Sequence, residues 1–182
     1  YSVGSWTPNS IAPGTTGWVL FQTSAQTATA DADWATISNA LVDDANAATV
    51  TLDDVTNLYS ETLKLTNPAY GVTVPTGAPS YTVELRIKRS GQTTSGKVIH
   101  DKVVKFIDDT GTLVGTNLAD TSTAWPSTAT TKDYVLTGYT PDGTEFTSAA
   151  GIAIQADGSV TNGNTTTSVY VAWIKVSWTG TD

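Results

Sequence analysis

YTVELRIKR, Tyr81 to Arg89, is the stretch on which the fold turns. Tyr81, Val83, Leu85 and Ile87 fall on one side of an extended chain, and Thr82, Glu84, Arg86 and Lys88 on the other. This strict period of two is the pattern of a strand with one apolar and one wet face. The polar run SGQTTSG follows and reads as a hairpin loop. KVIHDKVVKFI (Lys97 to Ile107) then reads as a second long strand, with a phase break at His100-Asp101 that a β-bulge would produce. Asp108 to Gly111 is a turn signal, and TLVGT completes an expected meander from Tyr81 to Thr116.

Similar signals extend outward in both directions. Towards the C-terminus lie DYVLTG, GIAIQA and SVYVAWIKVSW, Ser168 to Trp178. Tyr170, Ala172, Ile174, Val176 and Trp178 share one face of that last segment. Val169, Val171 and Trp173 make the other face partly apolar, so the strand is expected to be central in its sheet. Towards the N-terminus lie TLKLT, AATVTL and WVLFQ, with residues 23–46 read as loop around Trp34. About eight or nine strands separated by turn signals, and no helical period, give an all-β antiparallel β-sandwich or jelly roll. Residues 1–15, YSVGSWTPNSIAPGT, have no period and read as an irregular N-terminal arm ahead of a single domain over 16–182.

Composition agrees. Thr, Ser, Ala, Val and Gly dominate, and charged residues are only 14% of the 182. The chain has no cysteine, which excludes disulfides, thiolate metal sites and a Cys nucleophile. No run reaches the roughly 18 apolar residues of a membrane span, and the opening residues lack the pattern of a signal peptide. Nine basic against seventeen acidic residues leave a net charge of −8. Arg86, Lys88, Arg89, Lys97, Lys102 and Lys105 read as solvated strand positions rather than a phosphate-binding cluster, so neither nucleic acid nor membrane is an expected partner.

Catalytic chemistry finds little to rest on. His100 is the only histidine, and no G-x-S-x-G elbow is present. Acidic pairs at Asp31/Asp33, Asp43-Asp44, Asp53-Asp54 and Asp108-Asp109 sit at turn signals, where Asp accepts backbone N–H bonds. Loop carboxylates also suit calcium, with Asp53, Asp54, Asp108 and Asp109 the best placed, but no EF-hand pattern occurs. No catalytic, cofactor or metal residue is therefore assigned, and the chain is not expected to be an enzyme. Six tryptophans are numerous for this length. Trp34 and Trp125 read as plugs over the sandwich ends or as interface contacts. Trp6, on the arm, reads as an interface residue. With Ile11 these three make up the interface candidates.

From about residue 30 onward the segments SETLKLTNPAYGVTVPTGA, YTVELRIKRSG, KVVKFIDDTGTLVGTNLA, AWPST, TPDGTEFTSAAGIAI and VAWIKVSW, in that order, resemble a family of tailed-bacteriophage virion structural proteins. Tyr139 stands where a Trp is expected, and Ala172-Trp173 where an Asp-His pair often sits. The resemblance implies a structural protein of head, neck or tail, assembled in the host cytoplasm and carried in the virion. The expected function is capsid decoration (cement), with the major capsid protein or other virion proteins as partners. A homotrimer is favoured, coupled to neighbours through the arm. The alternative is a tail, fibre or neck module that binds host-surface glycan through exposed aromatics.

Overall fold

The computed structural model describes residues 10–91, 94 and 96–181. Ten strands are formed: β1 (Gly14–Thr15), β2 (Val19–Gln26), β3 (Ala48–Leu52), β4 (Leu63–Pro68), β5 (Tyr81–Ser90), β6 (His100–Ile107), β7 (Leu113–Val114), β8 (Thr130–Val135), β9 (Gly151–Asp157) and β10 (Thr165–Trp178). One short 3-10 turn, Ile37–Leu41, is the only helical element among the described residues. All strand pairings are antiparallel, in the order β7-β6-β9-β4-β2-β10-β5-β8.

That order folds over at β2. Val19 and Leu20 pair with β10, whereas Phe21 to Gln26 pair with β4. The first layer is β8-β5-β10, with the second edge of β10 shared by β3, β2 and β1. The second layer is β2-β4-β9-β6-β7. The result is a β-sandwich, as its alternating strands imply. Val83, Leu85, Ile87, Ile174 and Val176 from one layer meet Leu63, Leu65, Val104, Phe106, Ile152 and Ile154 from the other in a single core. β9 is buried throughout from Gly151 to Ala156 because it is central in its layer. A Cβ on Gly151 would lie 2.2 Å from the Leu65 carbonyl oxygen, so only glycine fits that close approach.

Several sequence expectations hold and several do not. β10 is central, with β5 along one edge and β3, β2 and β1 along the other. Its register shifts between Val169 and Val171, which puts Val169 in the core cluster with Ala172. The expected bulge in β6 is present between Asp101 and Val103. The expected meander is not formed, because β5 pairs with β10 and β8 while β6 pairs with β9 and β7. β5 and β6 therefore lie in different layers, and just after β5 the Gly91 N–H donates to the Pro126 carbonyl. Residues 23–46 are not all loop, since β2 runs to Gln26 and the 3-10 turn follows.

The expected arm does not extend over residues 11–15, and residues 1–9 lie outside the described residues. The Ile11 N–H donates to Thr181 Oγ1 (2.7 Å), the Thr181 N–H returns to the Ile11 carbonyl (2.9 Å), and Gly14 and Thr15 pair with Trp178 and Ser177. Residues 11–15 thus belong to the sandwich. Trp34 and Trp125 are corrected as interface candidates. They are 3% and 0% exposed, and their indole N–H groups donate inward to the Glu61 carbonyl and to Asp101 Oδ1, each at 2.7 Å. The rings close the sandwich as plugs. Trp6 lies outside the described residues.

One buried polar cluster crosses between the layers. Arg89, the last inward residue of β5, is ion-paired with Asp101 at the start of β6, and both are at most 2% exposed. Tyr134 of β8 donates to Asp101 Oδ2 (2.8 Å) and also meets Arg89, while the Asp120 N–H donates to the same carboxylate (2.9 Å). The guanidinium stands 4.9 Å from the centre of the Trp125 ring. Removing one partner of a buried pair leaves the other charge uncompensated. Asp101→Asn is therefore expected to lower unfolding free energy by about 3–5 kcal/mol, and Tyr134→Phe by about 1–3 kcal/mol. Urea unfolding of both variants against wild type checks this, and an unshifted midpoint for Asp101→Asn would show that the pair is dispensable.

Candidate functional site

The outer face of the β8-β5-β10 layer is the surface on which chemistry-bearing side chains converge. Strand register assigns its rows. Thr15, Ser177 and Thr82 form one row, and Lys175, Glu84 and Val135 the next. Leu20, Trp173, Arg86 and Asp133 form the third, and Val171, Lys88 and Thr131 the last. Trp18 immediately precedes β2 and extends its register to stand beside Lys175. At about 4.8 Å per strand spacing and 3.4 Å per residue, the face is about 14 Å wide and about 20 Å long.

Trp18 is its central feature. Its ring centre lies 4.1 Å from Arg86 Cζ and 4.9 Å from Lys175 Nζ. Arg86 belongs to β5, two strand spacings (about 10 Å) from the line of β2. The indole and the guanidinium therefore meet over β10. Gly17, at φ +65°, makes the turn that delivers the ring there. Cations over an indole are attracted by its ring quadrupole and hold it in place.

The charged side chains of the face are held in pairs. Arg86 grips Asp133 through two bonds, Nε to Oδ1 at 2.6 Å and Nη2 to Oδ2 at 2.7 Å. Lys175 Nζ lies 2.5 Å from Glu84 Oε2, and Lys88 Nζ lies 2.8 Å from Asp43 Oδ1. The Arg86 hydrogen bond holds the Asp133 carboxyl below the usual carboxylate range, and Asp133 in turn raises Arg86. At the end marked by Thr82 a shallow depression of about 110 Å³ is lined by Ser80, Thr82, Ser177, Trp178 and Thr179. Ser80 and Thr179 share a hydroxyl contact of 3.1 Å there. The face thus combines two half-buried indoles (Trp18 and Trp173), fixed charged hydrogen-bonding groups and a set of hydroxyls.

The residues singled out from sequence are not gathered on this face. Trp34 and Trp125 are interior, and Ile11 is bonded to the chain's own C-terminal end. His100 opens β6 opposite Asp157. The Asp53 carboxylate accepts the N–H groups of Val55, Thr56 and Asn57, and Asp108 accepts those of Thr110 and Thr112. The backbone and hydroxyl bonds hold both carboxyls below their ordinary range. These are turn-forming roles. Among the described residues no group of three or more His, Cys, Asp or Glu side chains is placed to hold a metal ion. Trp18 and Trp173 were visible in the sequence only as strand tryptophans. Period two in Tyr81–Arg89 marks Glu84, Arg86 and Lys88 as a wet face, but which strands lie beside it is a matter of pairing.

No protein-family model matches the chain, and no curated protein matches it. Among solved structures, a CBM4 module is similar over 87% of this chain and 93% of its own, at 18% identity and a TM-score of 0.44. TmCBM61, solved with β-1,4-galactotriose, is similar over 87% and 88% at 14% identity and a TM-score of 0.40. The second N-terminal cellulose-binding domain of Cellulomonas fimi β-1,4-glucanase C is similar over 91% and 94% at 15% identity and a TM-score of 0.40. The expectation of a capsid decoration protein is corrected here. The three solved structures named above are carbohydrate-binding modules or domains, not virion proteins. The segment meant to couple a cement protein to its neighbours is also, from Ile11 onward, paired with this chain's own β10 and C-terminal residues.

The Arg86–Asp133 pair sets a pH dependence. The folded-state pKa of Asp133 is lowered, so its contribution to stability is full above the ordinary carboxylate pKa of about 4 and is lost as pH falls through the lower folded value. Both side chains are partly solvated, so the effect is small. Urea midpoints measured from neutral pH downwards are expected to show wild type losing its margin over Asp133→Asn only in the acid range. A constant difference at all pH values would refute the assignment.

Proposed function

We propose that this chain is a non-catalytic carbohydrate-binding β-sandwich that lays a neutral glycan on the outer face of the β8-β5-β10 layer. The observation that carries the reading is Trp18, half-buried on this face and held by Arg86 at 4.1 Å. A pyranose has an apolar C–H face that stacks on an indole and a rim of hydroxyls that needs hydrogen-bonding partners. Aromatic surface with a few fixed polar groups is the general composition of such sites. Arg86, Glu84, Lys175 and Asp133 supply donors and acceptors whose positions are set by their mutual ion pairs before any ligand arrives. Pre-set groups lose less conformational freedom on binding.

Charge balance selects the ligand class. Arg86, Lys175 and Lys88 are each matched by a carboxylate, Asp133, Glu84 and Asp43 respectively. Among the described residues no cation on the face is left for an acidic sugar, and a neutral glycan fits. The same pairing argues against hydrolysis. A glycosidic general acid needs a raised pKa, whereas Asp133 is shifted downwards by Arg86.

Affinity electrophoresis through gels containing neutral or acidic polysaccharides, followed by calorimetry on the retained ones, tests the proposal. Wild type is expected to be retarded by at least one neutral polysaccharide, with little loss of affinity as salt rises. Trp18→Ala is expected to weaken that binding at least tenfold, about 1.4 kcal/mol. Undiminished binding by Trp18→Ala, or retention on acidic polysaccharides alone, would overturn the reading.

A further inference from the structure

We infer that the outer face of the second layer, on the far side of the sandwich from Trp18, binds the carboxylate groups of an acidic polysaccharide between Lys64 and Lys105. This is a different surface, and the inference does not rest on the neutral-glycan reading.

Ion pairing across the chain is uneven. Of nine basic residues, Arg86, Lys88, Arg89, Lys132 and Lys175 each have a carboxylate partner. Lys97 Nζ donates to the Asn164 carbonyl (2.6 Å). Among the described residues Lys64, Lys102 and Lys105 meet no carboxylate, and all three belong to β4 or β6 of the second layer. Lys102 stands over the Tyr59 ring. Lys64 and Lys105 remain as unpaired cations.

Strand register sets these two on either side of one residue. Lys64 pairs with Ala153 from β4, and Lys105 pairs with it from β6. Their strand neighbours Leu63, Leu65, Val104, Phe106, Ile152 and Ile154 all belong to the core, so the two lysines and Ala153 point outwards. The lysine backbones are two strand spacings apart, about 10 Å. Ala153 is 0% exposed despite its outward position, as long stems flanking a methyl group on both sides would leave it. Two like charges beside one small residue repel each other, and an anion bound between them relieves that repulsion.

The carboxylates near this face are set apart from the pair. Asp31 accepts from Gln155 Nε2 (3.1 Å), one row along β9, and Asp157, a further row on, accepts the Ser159 N–H (2.8 Å). Asp108 and Asp109, in the turn past β6, make no ion pair with Lys105. Thr23 and Ala25 of β2 and Thr66 of β4 continue the face beside Lys64. These short side chains offer hydroxyls and little apolar surface, which suits a sugar better than the apolar anchors of a peptide. Two unpaired cations on a chain of net charge −8 do not match nucleic acid, which carries one charge per about 1.7 Å of helix axis. A hydroxyl-rich polymer with sparse carboxylates fits.

Affinity electrophoresis of the full chain through gels containing polygalacturonate or alginate tests this. Carboxyl-reduced polygalacturonate is the uncharged match, and DNA and polyglutamate are the competing polyanions. At least one of the two acidic polysaccharides is expected to retard both wild type and Trp18→Ala, which separates this face from the other. In the Trp18→Ala chain the reduced polymer is expected to have no effect. Raising salt from about 10 to about 100 mM shortens the screening length from about 30 to about 10 Å, and retardation is expected to fall with it. Lys64→Gln and Lys105→Gln together are expected to weaken binding at least tenfold with an unchanged urea midpoint, whereas Lys97→Gln, which removes a charge elsewhere, leaves it as in wild type. The inference is overturned if neither acidic polysaccharide retards the chain, if the reduced polymer retards Trp18→Ala equally, or if salt has no effect. It is equally overturned if the double variant binds undiminished, or if DNA or polyglutamate binds as tightly as the acidic polysaccharide.

Discussion

The buried ion pair between Arg89 and Asp101 is the contact on which the arrangement of this sandwich depends. It joins the inward end of β5 to the beginning of β6, strands that lie in opposite layers and never pair with each other. Burying two charges is tolerable only when geometry is good and the remaining donors and acceptors are met. Asp101 satisfies that condition through the Trp125 indole, the Tyr134 hydroxyl and the Asp120 N–H. These contacts bring β8 and the long loop after β7 onto the same end of the core. The unmet Arg89 Nε–H is the exception in this cluster among the described residues.

A second constraint is the length of β10. Fourteen residues long, it spans the whole layer and gives one edge to β5 while three short segments share the other. β2 can then leave β10 after two residues and turn into the second layer. Trp18, at the point where β2 meets β10, is carried onto the outer face together with Trp173, Lys175, Glu84 and Arg86. The site is thus a by-product of strand order, assembled from residues up to about 160 positions apart in the chain. Its polar members are fixed by one another, which leaves the face rigid and close to neutral.

Much of the fold was legible because alternation is a local property. Tyr81–Arg89, the β6 bulge and the central place of β10 all follow from which neighbours in sequence are apolar. The tryptophans were harder. Trp34 and Trp125 sit in polar, Asp- and Thr-rich segments that read as surface loops, yet both are buried because each indole N–H finds an acceptor inside, at the Glu61 carbonyl and at Asp101. The irregular composition of residues 1–15 likewise suggested a free arm, although the backbone of residues 11–15 needs no apolar pattern to bond to Trp178, Ser177 and Thr181.

By itself the sequence determined an all-β, cysteine-free sandwich, the inward set of β5, that of β10 from Ala172 onward, and the turn roles of Asp53 and Asp108. Each follows from period, composition or a side chain bonding within a few residues of itself. Only the tertiary structure decided that β5 and β6 lie in different layers, that Trp18 meets Arg86, and that Lys64 and Lys105 flank Ala153. Hydrophobic alternation specifies which side of a strand is buried but not which strand lies beside it. Pairing is settled by the whole set of competing edges, and every functional feature described depends on that pairing.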